Sequence, residues 1–303
     1  MDLFSIILIV VGLSLFEIIN SIDNAVINAE VLGNVSAKAK KWFLFWGLLV
    51  AVFLVRGLLP WLIIWSTTPQ LGFIRSFTAT FSSDPTVSHA IESSAPILLS
   101  GAGIFLIFLF LHWLFLEPKA YGLHTERFFE KQGVWFYTIA SILLLVFVWF
   151  GLQKNTLMAF SLVVGSTVFF FIHGLRQNAE KVEHALLHKE SGFPDWNKII
   201  YLEVIDASFS IDGVLGAFAF TFSIPLIILG NGIGAFVVRQ LTVGNIDIVK
   251  KYKYLKNGAM YSILALGIVM LTNAFGVHTP EWISPVITIA ILAFFFWKSK
   301  REL

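Results

Sequence analysis

Long apolar stretches separated by short polar ones run the length of the chain, without the strict alternation of a half-buried strand. Nine of them are predicted as membrane-spanning helices, at 3–28, 43–65, 96–116, 134–152, 156–175, 199–221, 224–240, 257–275 and 282–297. A hydrocarbon core of about 30 Å needs roughly 20 apolar residues in helix. Continuous apolarity favours helices over a barrel, whose strands alternate. Residues 66–95 read as an outer loop rich in Ser and Thr. Residues 176–198 read as an inner loop that begins as a polar helix and breaks at Gly192 and Pro194. The start, Met1-Asp2-Leu3, lacks a basic leader region, so the first stretch is expected to be a retained helix. The expected fold class is all-α, a polytopic membrane helix bundle forming one transmembrane domain over 1–303.

Composition agrees with that pattern. Of 303 residues, 57% are apolar and 13% charged, against roughly 25% charged in soluble domains. Mean hydropathy is +0.82. The lipid bilayer is thus the first partner, and a net charge of +2 gives no reason to expect nucleic acid. A homo-oligomer is neither demanded nor forbidden. The absence of cysteine excludes disulfides, thiolate metal sites and a cysteine nucleophile. Basic residues also order the spans. Eighteen of the 21 follow spans one, three, five, seven and nine, from Lys38 through Arg127, Arg176 and Arg239 to Arg301. Positive charge stays on the cytoplasmic side. The expected location is a bacterial cytoplasmic membrane, with the amino terminus outside and the carboxyl terminus inside.

Polar residues inside the spans carry the chemistry. Glu17-Ile-Ile-Asn-Ser21-Ile-Asp23 in span one is echoed by Asp206-Ala-Ser-Phe-Ser210-Ile-Asp212 in span six. Each phrase has an acid, three residues, then Ser-Ile-Asp. A carboxylate at membrane depth costs several kcal/mol unless it is paired, protonated or cation-bound, so it marks function by default. By the alternation of loops, the two phrases lie on helices of opposite direction, as in an inverted repeat with a site near the midplane. The first half is read as 1–116, the linking helices and inner loop as 117–198, and the second half as 199–303. At about 100° per residue, Glu17, Asn20, Ser21, Asn24 and Asn28 share one stripe, whereas Asp23 lies about 120° from Glu17. Convergence of the two acids needs a local opening of the helix or a second helix between them. Gly213 and Gly216, beside Asp212, permit either close helix contact or a local break. Glu17, Asp23, Glu203, Asp206 and Asp212, with Asn20, Asn24, Asn28, Ser21 and Ser210, form a set of hard oxygen donors suited to Mn²⁺, Mg²⁺ or Ca²⁺. Proton carriage is the other use of such carboxylates. Pairing with Arg56 or Arg239 would instead lock helices together, but five acids outnumber those arginines. Arg56 is read as a counter-ion to Asp23 or Asp212.

The stretch Glu17 to Val26, with Ser21-Ile-Asp-Asn-Ala25 at its centre, resembles the first signature of the TerC family of membrane proteins. The stretch Glu203-Val-Ile-Asp206-Ala-Ser-Phe-Ser210-Ile-Asp212 through Thr221 resembles its second. The two blocks cover about a tenth of the chain, and the order of hydrophobic spans extends the likeness to most of it. The resemblance implies a fold similar to the lysine-exporter superfamily, built from inverted three-helix repeats. It also implies a link to tellurium resistance and to export of manganese from bacterial cytoplasm. By resemblance, Glu17, Asp23, Asp206 and Asp212 are metal ligands or their near neighbours, with Asn24 and Glu203 accessory. Gly213 stands where the family often has a serine, and the two long loops mark a divergent branch.

The expected function is therefore secondary export of a divalent cation, Mn²⁺ in the family's terms, by proton exchange. The cation is substrate, and no prosthetic group is expected. An exporter of an oxyanion would need positive charge at the site, where only Arg56 is well placed. A non-transporting partner that supplies metal to secreted enzymes, or assembles a stress-response complex, is the reading from another class. No Ser-His-Asp set is arranged for hydrolysis, so no enzyme is expected. Several further groups have two readings each. Glu180, His184 and His188, spaced by four, form either a cytoplasmic metal site or a solvated helix face. His112 and His173 either relay protons or hydrogen-bond within the bundle. Asn231 and Asn273 are expected to join helices, and Asp84, His89 and Glu92 to be outer surface. Gly230-Asn-Gly-Ile-Gly234 lacks the strand-turn-helix setting of a dinucleotide fingerprint.

Overall fold

Hydrocarbon offers no partner to a backbone N–H or C=O, so an apolar chain in a bilayer must close its own hydrogen bonds, and here it does so as helices. The computed structural model describes residues 3–33, 35–79, 85–119, 121–187, 194–244 and 251–302. The side chains of Asp23, His89, Glu92, Glu180, Glu183 and His184, like Asp84 and His188 entirely, lie outside what is described. Among the described residues there is no strand. The elements are α1 (Leu3–Asn20), α2 (Ile22–Leu32), α3 (Ala37–Trp42), α4 (Leu59–Thr67), α5 (Phe73–Ala79), α6 (Pro85–Leu116), α7 (His124–Glu130), α8 (Trp135–Lys154), α9 (Thr156–Leu187), α10 (Asp195–Ala217), α11 (Ile224–Gly244), α12 (Leu255–Ala274) and α13 (Ile283–Arg301).

Eight helical stretches among the described residues are long and apolar enough to cross a membrane. They match eight of the nine predicted spans. The remaining one, the sixth, is α10. It is long enough at 23 residues, but Glu203, Asp206 and Asp212 lower its apolarity, and it runs among α1, α2, α6, α9 and α11. The protein is thus a polytopic membrane helix bundle.

Three spans differ in detail from expectation. Span one breaks at Ser21, which sits in a turn between α1 and α2 at φ −94° and ψ 3°. Span two is not a regular α-helix: between α3 and α4, Phe43–Gly47 and Val50–Leu58 wind as π-helix, a form frequent at functional sites. The loop expected at 66–95 is shorter, because α5 and the first turns of α6 lie within it. The inner loop does begin as helix, to Leu187, and Pro194 caps α10, whereas Gly192 lies outside the described residues.

The core is built around α6, whose buried face from Leu98 to Phe115 packs on α9 and α12. Close approach depends on glycine. A methyl on Gly165 of α9 would overlap the Gly101 carbonyl oxygen of α6, the small-residue contact common between membrane helices. Replacing Gly165 by Ala should cost about 1–3 kcal/mol through overpacking, read as a lower thermal midpoint in detergent. Gly174→Ala, with nothing within 4 Å of the new carbon, should leave that midpoint unchanged or slightly raised. On the outside, large apolar side chains such as Val134 (88% exposed), Leu145 and Phe160 face where lipid would lie.

Contact register fixes helix direction around the acidic phrases. Added carbons on Gly213, Gly216 and Gly12 would touch Glu17, Phe16 and Phe220 respectively. Residue numbers rise along α1 as they fall along α10, so the two helices are antiparallel. Gly230 against Leu13 and Gly234 against Glu17 make α1 and α11 parallel. Arg239 meets Phe43, Gly232 meets Val52 and Gly57 meets Ile228, so span two and α11 are antiparallel.

Candidate functional site

The site begins where α1 ends. Ser21 interrupts the helix, and its hydroxyl donates to Glu17 Oε1 at 2.9 Å, the local bonding by which serine competes with regular helix. Glu17 is 1% exposed. Arg56 donates through Nη2 to the same Oε1, and its Nη1 reaches the Ala51 carbonyl at 3.2 Å, five residues back along the π-wound segment. The other oxygen, Glu17 Oε2, has no hydrogen-bond partner among the described residues. It lies against Gly213 of α10, where an added methyl would come within 2.8 Å. Gly234 of α11 closes the opposite side, its added carbon falling 2.6 Å from Glu17 Cβ. Both glycines are thus needed for the fit, and the glycines beside Asp212 serve close contact and not a helix break.

Asp212 precedes Gly213 and is 4% exposed. Its Oδ2 pairs with Arg176 Nη2 of α9 at 2.6 Å, while Oδ1 has no partner among the described residues. Nearer the start of α10, Arg239 of α11 serves two acids. It contacts Glu203 Oε1 at 3.3 Å and Asp206 Oδ2 at 3.2 Å. It also donates to the Phe43 carbonyl and lies 4.0 Å over the Phe43 ring. Gly47 makes room for this pair, since a methyl there would overlap Glu203 Oε1.

Two amides complete the group. Asn24 and Asn28 are buried, one turn apart on α2, and the Oδ1 of each is without a partner among the described residues. α2 contacts α9, α10 and α11. An unsatisfied buried acceptor is expensive, about 1–3 kcal/mol, so the four on α1, α2 and α10 require an explanation. No group of three His, Cys, Asp or Glu side chains among the described residues is placed to hold a metal ion. Each described acid of the site is instead matched to an arginine. Glu17, Glu203, Asp206 and Asp212 face Arg56, Arg176 and Arg239, so one carboxylate exceeds the arginines before Asp23 is counted.

Two expectations change. Arg56 pairs with Glu17 and not, among described side chains, with Asp212. Arg176, expected in the inner loop, lies on α9 with its guanidinium buried against Asp212. Sequence reasoning missed it as a site residue. The available signal was its spacing of three from His173 at the end of an apolar run, on one helix face. Of the other candidates, Asn273 accepts from the Thr279 amide and hydroxyl, closing its own turn instead of joining helices. Asn231 is fully buried, with neither amide atom hydrogen-bonded to a described residue.

The sequence profile of a family described as "Protein of unknown function (DUF475)" matches residues 22–302, and the chain belongs to that family. A 98-residue stretch is 28% identical to "Uncharacterized membrane protein YceF" of Bacillus subtilis (strain 168). That stretch is 32% of this chain and 38% of the relative, so the chain matches well under half of the relative's length. No solved structure matches the chain.

Proposed function

We propose that this member of the DUF475 family is a secondary exporter of a divalent cation, with Mn²⁺ the first ion to test and protons moving in exchange. One observation carries the reading: four buried oxygens, on Glu17, Asp212, Asn24 and Asn28, have no donor among the described residues. Carboxylate and amide oxygens are the ligands a hard divalent cation prefers. Four open acceptor positions on α1, α2 and α10 are what a cation would occupy and what a mere arginine lock would leave unexplained. Asp23 and Asp206 would join as the helices move, with Glu203 accessory.

The arginines are assigned to the cation-free carrier. Arg56, Arg176 and Arg239 hold the charge of the empty site, and an entering cation displaces one or more of them. The antiparallel course of α1 and α10 supports an inverted repeat of 1–116 and 199–303 joined by 117–198. Each half also pairs an acid of its first helix with an arginine of its second, Glu17 with Arg56 and Asp206 with Arg239. Rocking of one half against the other would expose the site alternately. The resemblance to the TerC family is the ground for placing Mn²⁺ first, in a bacterial cytoplasmic membrane with the amino terminus outside.

The test is flux. Purified protein in liposomes is expected to move Mn²⁺, and faster with an opposed proton gradient. Liposomes that stay impermeable to Mn²⁺, Mg²⁺ and Ca²⁺ alike would remove the exporter and leave a non-transporting membrane partner.

A further inference from the structure

Two histidines of the bundle, outside the acidic site, make a cluster of their own. His112 near the end of α6 and His173 of α9 have ring centroids 4.0 Å apart. The apolar walls are Phe169, parallel to His173 at 6.1 Å, and Phe136 of α8, edge-on to His112 at 5.6 Å. Gln177 binds His173 Nε2 at 3.0 Å. At one end the pair meets the carboxylate of Glu117, 3.9 Å from His112 Nδ1. Glu117 lies past the end of α6, partly exposed, and pairs with Lys256 of α12 at 2.8 Å. Partial burial would raise its pKa, but Lys256, with His112 and Lys119 adding, holds it below the ordinary carboxylate range. At the other end, Arg176 is three residues beyond His173 on the same helix, paired with Asp212. Among the described residues, the charged groups acting on the imidazoles are Glu117, Lys119 and Arg176, with Lys256 held on Glu117.

Two imidazoles this close can hold one proton between them, and like-charge repulsion makes a second much harder to add. We propose that His112 and His173 form the coupling-proton site of the exporter, distinct from the carboxylates that hold the cation, and that Arg176 links the two. The proposal rests on the exchange reading given above. A proton on the pair puts a second positive charge near Arg176, which is then driven onto Asp212 and closes the cation site. An entering cation displaces Arg176 from Asp212 toward the imidazoles, and the same repulsion expels the proton, with Glu117 as its acceptor on the way to water. Arginine keeps its own proton throughout, so it transmits charge and carries none. The two ions exclude one another, which is what exchange requires, and the coupling is reciprocal.

Two measurements decide this. In purified protein labelled with nitrogen-15 at histidine, His112 and His173 should take up protons in two steps, about one pH unit apart or more. Independent single steps would overturn the shared site. This arm holds whether or not the protein moves metal. Second, Mn²⁺ affinity should fall at least about fivefold from roughly pH 8 to pH 5.5, a coupling of ordinary size, and binding should release protons. His112→Gln with His173→Gln should bind Mn²⁺ yet lose most of that pH dependence. A folded variant with wild-type pH dependence and proton release would overturn the coupling. Absence of Mn²⁺ binding by the wild type at every pH would count against the exporter itself, and with it against the coupling, while the two-step titration would still establish the shared proton.

Discussion

Asp212→Asn should destabilise the protein by about 3–5 kcal/mol, because it strands Arg176 in the bundle without its anion. The loss would be read as a fall in thermal midpoint or in the yield of folded protein in detergent. Arg176→Gln in the same chain should return most of that stability, since replacing both members of a buried pair is often neutral. Transport separates the two roles of the pair. If Asp212 is a ligand for the cation, the double variant, with two neutral amides in place of the ion pair, regains its folding and leaves Mn²⁺ flux abolished. Recovery of flux along with stability would reduce the pair to a helix lock. The test turns on the Oδ1 of Asp212, which the arginine leaves without a partner. A lock has no use for that oxygen, and a cation site does.

Arg56→Gln should have the opposite signature. Glu17 then keeps its carboxylate, 1% exposed, with Ser21 as its one remaining described donor. An unpaired buried charge of this kind costs several kcal/mol, and a bound cation would relieve it. Mn²⁺ is therefore expected to bind the variant on the order of 100-fold more tightly, which corresponds to about 2.7 kcal/mol of relieved repulsion. Mn²⁺ should raise its thermal midpoint more than that of the wild type. Flux should fall, since an ion held that tightly leaves slowly and the empty carrier has lost its counter-ion. Direct titration with Mn²⁺ in detergent, beside flux in liposomes, reads both effects. Equal or weaker Mn²⁺ affinity in folded Arg56→Gln would mean that the arginine does not stand in the cation's place.

Much of this architecture was legible because lipid exposure leaves its mark on every residue of a span. Eight stretches declare themselves by apolarity alone. The remaining one, α10, is hidden from that criterion by its own acids: Glu203, Asp206 and Asp212 make it too polar. It was recoverable because two of those acids repeat the phrase of span one. Glu17, Asp206 and Asp212 stood out as charges in apolar surroundings, and α1, α10 and α11 bring Glu17 and Asp212 to neighbouring positions. The partners were not legible. A guanidinium reaches several ångströms from its backbone, so the acid it meets is settled by helix packing and not by spacing along the chain. Arg176 was further disguised, because an arginine at the end of a span is ordinary. The glycine contacts, Gly213 and Gly234 on either side of Glu17, were unreadable for a similar reason. A missing side chain says that something comes close and leaves open what.

The winding of the second span has a mechanical consequence. Segments Phe43–Gly47 and Val50–Leu58 close their hydrogen bonds over five residues instead of four. Each such turn stores surplus chain length. Passing one surplus residue along the segment rotates the residues it passes by about 100° and advances them by about 1.5 Å, while the chain beyond stays in place. Span two can therefore swing Arg56 away from Glu17 by a slip of register, with both ends of the segment anchored and no turn unravelled.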